Sequence, residues 1–140
     1  MLTDANADPY EKDNSGRTAL HYAVYSGRPE ILTILTQHGT DIVHVKDHAG
    51  RTALHHAVFM EANKVLMIQK LLNYGADVNA LDMDKRTPLH HAAEANKAGV
   101  IHILVERGAH TSIKDGLSNK TPMELAANDH IRELIIGYSQ

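Results

Sequence analysis

Four threonines, Thr18, Thr52, Thr87 and Thr121, recur at intervals of 34, 35 and 34 residues, each directly preceded by a basic residue. Their surroundings repeat as well: Arg17-Thr18-Ala19-Leu20-His21, Arg51-Thr52-Ala53-Leu54-His55, Arg86-Thr87-Pro88-Leu89-His90 and Lys120-Thr121-Pro122-Met123-Glu124. Each reads as a helix start. The threonine hydroxyl can cap the first turn, and a proline is tolerated at the first helical position because no backbone donor is needed there. A second series, Gly39, Gly75 and Gly108, steps by 36 and then 33 residues. Glycine takes positive φ without steric cost and so ends helices. A period of about 33 residues marks a tandem array. Such units cannot bury an apolar face alone, so each leans on its neighbours in a line.

The fullest copy runs Gly75-Ala76-Asp77-Val78-Asn79-Ala80, then Asp82, then Arg86-Thr87-Pro88-Leu89-His90-His91-Ala92-Ala93. It reads as a turn, an extended finger, a second turn and a helix start. With its phased copies it resembles the ankyrin repeat, over roughly Asn6 to Tyr138. The resemblance implies an all-α solenoid of helix–turn–helix units joined by finger loops, with three full repeats and partial ends. The expected divisions are 1–12 (the tail of a preceding repeat), 13–45, 46–80, 81–113 and a C-terminal capping repeat at 114–140. Asn6 stands twelve residues before Thr18, as Gly75 does before Thr87, so the chain reads as entering at the end of a repeat, a piece of a longer array.

Within each full unit the second helix carries an apolar stripe at i, i+3 and i+4 spacing: Ile31, Leu32, Ile34 and Leu35; Met67, Ile68, Leu71 and Leu72; Val100, Ile101, Leu104 and Val105. Three departures are expected to matter. Repeat one has one extra residue near Val43-His44. Repeat two has two extra residues within Glu61-Ala62-Asn63-Lys64. In repeat three Lys85 and Asn96 stand where glycines turn the chain, and because lysine tolerates positive φ poorly, the Lys85 turn is expected to be distorted. In the fourth copy Thr121-x-x-Glu124 forms a capping box. Glutamate there replaces a histidine that could reach a following repeat, which suggests the end of the array.

Composition narrows the function. Seventeen acidic and 14 basic residues give a net charge of −3, unlike the basic footprint of a general nucleic-acid binder. Without cysteine there is no disulfide framework, thiol nucleophile or thiolate zinc site. No apolar run reaches the ~18 residues of a membrane span, and no signal peptide opens the chain. No cofactor motif or catalytic set is present, and Asp82 and Asp84 read as solvated turn formers.

Eleven histidines invite a metal reading, but the sequence does not support one. Adjacent pairs such as His55-His56 and His90-His91 point about 100° apart on a helix and chelate poorly. His44 and His48 have ligand spacing but fall in a finger. His21, His55 and His90 lie three residues after a helix cap, where a structural role suffices.

The resemblance places partner contacts on the finger tips and the open face of each first helix. By position these are Arg17, Tyr22, Tyr25 and Ser26; His48, Arg51, His56, Phe59 and Met60; Met83, Arg86, His91 and Glu94. Large side chains in a groove are typical binding hot spots. The row Arg17, Arg51, Arg86 and Lys120 could steer an acidic partner. The implied function is a non-catalytic protein–protein interaction module, monomeric and cytoplasmic or nuclear, without nucleic acid or membrane insertion. A regulatory or targeting segment of a larger enzyme or channel is the alternative. Asn79, eight residues after Leu71 and behind Asp77-Val78, is similar in context to ankyrin asparagines hydroxylated by a dioxygenase, though a turn-closing role also explains it.

Overall fold

The computed structural model describes residues 8–37, 39–60 and 64–139. Among these, the regular structure is helical: α1 (Ala19–Tyr25), α2 (Pro29–Leu35), α3 (Ala53–Ala57), α4 (Lys64–Asn73), α5 (Pro88–Glu94), α6 (Ala98–Glu106) and α7 (Asp129–Ser139), with a 3-10 turn at Asp41–His44 and no strand. The 3-10 turn sits where the extra residue of the first repeat was expected. The chain forms two units, Met1–Ala76 and Asp77–Gln140. In the first, α1 packs on α2 and α3, and α4 on α2 and α3. In the second, α6 packs on both α5 and α7.

The repeated threonines start α1, α3 and α5 as N-caps with extended backbones. One leucine from each of these helices, Leu20, Leu54 and Leu89, is fully buried. The second helices contribute Leu32 and Leu35, Met67, Ile68 and Leu71, and Val100, Ile101 and Leu104 to the core, and α7 contributes Ile131 and Ile135. Burying one such side chain stabilises by about 1.5–3 kcal/mol. Ile34, expected in the stripe, is exposed.

The finger turns share one backbone feature. Gly16, Gly50, Lys85 and Asn119, each two residues before a repeated threonine, all have positive φ. The Lys85 turn is not distorted as expected. Lys85 holds φ 57°, and its N–H donates to the Asp82 carbonyl at 2.9 Å, matching the Gly50 N–H and the Asp47 carbonyl. The carboxylate of Asp82 supplies the reason, since it ties both Asp84 N–H (2.9 Å) and Arg86 N–H (3.0 Å) across the turn. Asn96 takes φ 61° in the inter-helix turn, as Gly27 takes 66°.

The fourth copy departs most. Its capping box forms, Thr121 N–H donating to Glu124 Oε1 at 3.0 Å and Glu124 N–H to Thr121 Oγ1 at 3.3 Å. Yet residues 122–125 make only a turn, and the helix that follows is α7. The expected repeat tail at Asn6 and the insertion at Glu61-Ala62-Asn63 lie outside the described residues.

Candidate protein-binding surface

Each finger is built around an aspartate. Asp13 Oδ1 accepts from the N–H groups of Ser15 and Arg17, Asp47 Oδ1 from Ala49 and Arg51, and Asp82 Oδ1 from Asp84 and Arg86, at 2.9–3.0 Å. In the fourth finger Asp115 Oδ1 accepts from Ser118 (3.1 Å) and Lys120 (3.0 Å). Asp82 is therefore a buried finger organiser, not the solvated turn former expected from sequence.

The other carboxylate oxygen has a choice of donors, and the residue four positions after the threonine decides it. Tyr22 donates its hydroxyl to Asp13 Oδ2. His56 Nε2 lies 2.8 Å from Asp47 Oδ2, and His91 Nε2 2.8 Å from Asp82 Oδ2. The fourth copy has Leu125 at this place, which cannot donate. There the arginine of the preceding finger and a serine of the same finger take the oxygen, with Arg86 Nε 3.0 Å and Ser118 Oγ 3.2 Å from Asp115 Oδ2. Arg17 approaches Asp47 in the same way but stops at 3.7 Å, its buried Nε–H without an acceptor, and His56 Nε2 is the close donor to that oxygen. Burial alone would raise the pKa of Asp115. The N–H groups of Lys120 and Ser118 and the Arg86 guanidinium outweigh it and hold the carboxyl well below the usual carboxylate range.

The capping histidines join neighbouring fingers. Thr18 N–H donates to His21 Nδ1 at 3.1 Å, so Nε2 carries the proton and donates to the Arg51 carbonyl at 3.1 Å. His90 repeats this with Thr87 N–H (3.1 Å) and the Lys120 carbonyl (3.0 Å). Both are neutral donors at one nitrogen and acceptors at the other. Burial lowers their pKa values, against the opposing pull of the carbonyls.

His56 and His91, expected on the contact surface, are buried instead, at 2% and 4% exposure. Each turns inward because a finger carboxylate needs its donor. His56 connects that interior to the outside, since Tyr25 donates its hydroxyl to His56 Nδ1 at 2.6 Å. Burial lowers the His56 pKa despite the bond to Asp47. His21, Asp47 and His56 come together closely enough to suggest a metal-ligand set. Both His21 nitrogens are already bonded, and the Arg17 guanidinium faces the carboxylate where a cation would sit.

The outer layer is arranged by another repeat. The Arg17 guanidinium lies over the Tyr25 ring at 4.9 Å, and that of Arg51 over Phe59 at 5.8 Å. Arg86 instead pairs with Glu94 at 3.2 Å. The expected cationic row is thus committed to neighbours at Arg17, Arg51 and Arg86. Tyr22 (46% exposed), Tyr25 and Phe59 show aromatic surface in the first unit, and Met60 is half-buried. Tyr22, Tyr25, Ser26, Arg28 and Ile31 line an open hollow of about 460 Å³. Exposed His48 lies across Gly16, where an added Cβ would meet its ring at 2.5 Å. In the second unit Met83 and Glu94 are exposed, and Asn79 bridges a turn, accepting from His110 N–H at 2.8 Å and donating to the Gly108 carbonyl at 3.3 Å.

Sequence reasoning missed the aspartates as the centre of each finger. The available signal was their place, five residues before the threonine at Asp13, Asp47 and Asp82.

A family model described as ankyrin repeats (3 copies) matches residues 1–82, 43–115 and 61–138. Mouse B-cell lymphoma 3 protein homolog is 34% identical over 135 residues, 96% of this chain and 30% of that protein. Human NF-kappa-B inhibitor zeta is 38% identical over 109 residues (77% of this chain, 15% of that protein). Human neurogenic locus notch homolog protein 1 is 33% identical over 127 residues (89% and 5%). The chain spans less than a third of each of these relatives.

Proposed function

The chain belongs to the ankyrin-repeat family, and from that premise we propose that it is a protein-binding module with no catalytic step of its own. Its main contact area is the first unit's outer layer: Tyr22, Tyr25, Ser26, Phe59 and Met60, with Arg17, Arg51 and the fingertip His48 beside them. The observation that carries this reading is the exposure of three aromatic side chains over a fixed polar interior. Tyrosine and phenylalanine bring large contact area at low entropic cost, and the buried histidine network holds the layer beneath them still. In the second unit Met83, Arg86 and Glu94 form a contact area of their own. His56 and His91 act from beneath, as supports. The module is monomeric, works in the cytoplasm or nucleus, and takes a protein with carboxylates near the stacked arginines, not nucleic acid.

The test is quantitative capture of interacting proteins by the chain and by Tyr25→Ala/Phe59→Ala, with helicity measured in parallel. Loss of capture at unchanged helicity is expected; full capture by the variant refutes the assignment.

A regulatory or targeting segment of a longer protein is the second reading. It is favoured by the small share of each relative that the chain spans and by the inhibitor named among them. Sequencing the full transcript for catalytic motifs beside this region distinguishes the two. Asn79 remains a candidate for hydroxylation. Its side chain is engaged at both ends, so modification would need the turn at Gly108–His110 to open.

A further inference from the structure

The sequence holds a single Asp-Gly step, Asp115-Gly116, and no Asn-Gly. Asp-Gly is the aspartyl step most open to isomerisation, because glycine has no side chain to hinder attack by its own nitrogen on the preceding carboxyl. Gly116 is not there for a left-handed turn. A Cβ at position 116 would lie 3.1 Å from the Asp84 carbonyl oxygen and 3.4 Å from the Lys85 side chain, so the close approach of the fourth finger to the third requires a glycine. The corresponding aspartates Asp13, Asp47 and Asp82 are followed by Asn14, His48 and Met83, whose side chains hinder that attack.

The contact that demands the glycine also restrains both reacting groups. Gly116 N–H donates to the Asp84 carbonyl at 2.7 Å. The Asp115 side chain is fully buried and both its oxygens are engaged. Oδ1 accepts from the N–H groups of Ser118 (3.1 Å) and Lys120 (3.0 Å) and from the Ser118 hydroxyl (3.0 Å). Oδ2 accepts from Arg86 Nε at 3.0 Å and from the same hydroxyl at 3.2 Å. Ring closure needs the Gly116 nitrogen to leave Asp84 and the carboxyl to swing away from these donors. It also needs a neutral carboxyl that can lose its OH, and the donors hold this group ionised. Gly116 itself is exposed, so water reaches the peptide.

We propose that Asp115-Gly116 is a latent isomerisation site, silent while the third finger holds the fourth and converted to isoaspartate, with water as the co-reactant, when that contact opens. First the Gly116 nitrogen bonds to Asp115 Cγ. The carboxyl OH and the proton of that nitrogen leave as water, the proton passing through solvent, and a succinimide ring remains. Water then adds to the ring. Breaking the bond between the nitrogen and Cγ restores aspartate. Breaking the bond between the nitrogen and the Asp115 main-chain carbonyl carbon leaves isoaspartate, with the chain running through Cβ and Cγ. The free carboxylate then stands on Cα, so it cannot regain its former bonds to Ser118, Lys120 and Arg86 in the same geometry. An opening of the last finger is thereby recorded as a covalent change that keeps it open.

The test incubates the full chain in heavy-oxygen water at neutral pH, folded and in guanidinium, and follows position 115 by peptide mapping. Isoaspartate resists an aspartate-directed endoprotease, and each passage through the succinimide inserts one labelled oxygen. Wild type is compared with Arg86→Ala and with Ile101→Val, which trims a buried core side chain of the second unit and leaves the finger bonds in place. Circular dichroism checks the fold. Asn14, followed by the small Ser15, deamidates by the same ring closure and reports general unfolding. Conversion at 115 is expected to be at least tenfold slower in folded wild type than in guanidinium. Arg86→Ala should raise it at least threefold in the folded chain, with Ile101→Val and Asn14 deamidation unchanged. Folded wild type converting at the guanidinium rate overturns the proposal. So does Arg86→Ala converting no faster than Ile101→Val, or a gain at 115 matched by an equal gain at Asn14. If Arg86→Ala does not fold, Arg86→Lys takes its place under the same criteria.

Discussion

The Arg17 guanidinium lies 4.9 Å above the centre of the Tyr25 ring, eight residues further along the chain. The same offset joins Arg51 to Phe59 and Arg86 to Glu94. One position thus accepts either an aromatic ring or a carboxylate as the partner of its arginine. Phe59→Glu should convert the second repeat to the third repeat's pairing. Stability is expected to change by less than about 1 kcal/mol, since exposed ion pairs contribute little. Capture of protein partners should fall with the aromatic surface. Urea unfolding and the capture assay read the two effects separately.

Arg17 and Arg86 are equivalent in sequence but not in energetic weight. Arg86 bonds the buried carboxylate of Asp115, while Arg17 stops short of Asp47. Arg86→Ala is expected to cost about 2–3 kcal/mol by leaving a buried charge under-paired. Arg17→Ala is expected to cost under about 1 kcal/mol. Equal shifts in the urea midpoint would contradict this difference in pairing.

Acid should destabilise the protein before any carboxylate titrates. The folded pKa values of His21, His56 and His90 all lie below the ordinary histidine value, chiefly through burial. The unfolded chain therefore binds protons first as pH falls through about 6.5. Stability from these groups is complete above that pH and declines below it until the folded histidines also protonate. His90→Gln should flatten the slope of stability against pH between about 7 and 5.

Zinc should leave the melting temperature unchanged. His21, Asp47 and His56 approach one another, but each is bonded to the protein and Arg17 faces the carboxylate. A melting temperature that rises with added zinc and returns with a chelator would show that the ion displaces this network.

Asn79→Ala removes two hydrogen bonds across the turn before the fourth finger. The expected cost is about 1–2 kcal/mol. Faster amide exchange should appear at His110 and its neighbours. A variant with unchanged exchange there would mean that the asparagine does not hold the turn.

The helix starts were legible because Thr18, Thr52 and Thr87 act on residues three places away, within reach of local chemistry. So were Leu20, Leu54 and Leu89, whose burial follows from their place in the first turn. The fate of His56 was not legible. Its neighbour His55 reads almost identically, and what turns His56 inward is a carboxylate nine residues earlier. Nor did residue preference reveal the turn at Lys85. Lysine disfavours positive φ, but the bonds to Asp82 outweigh that preference.

The sequence by itself determined the period, the helical class, the helix caps and the leucines that go inside, because each depends on residues a few places apart and recurs in at least three of the four copies. Only the tertiary structure decided which donor reaches each finger aspartate, and with it which histidines are buried, which arginines are committed and which side chains remain for a partner. The second oxygen of each finger carboxylate takes whichever donor the fold brings within reach, a histidine nine residues on at Asp47 and Asp82 and the preceding finger's arginine at Asp115, and such pairings between residues distant in sequence exist only in three dimensions.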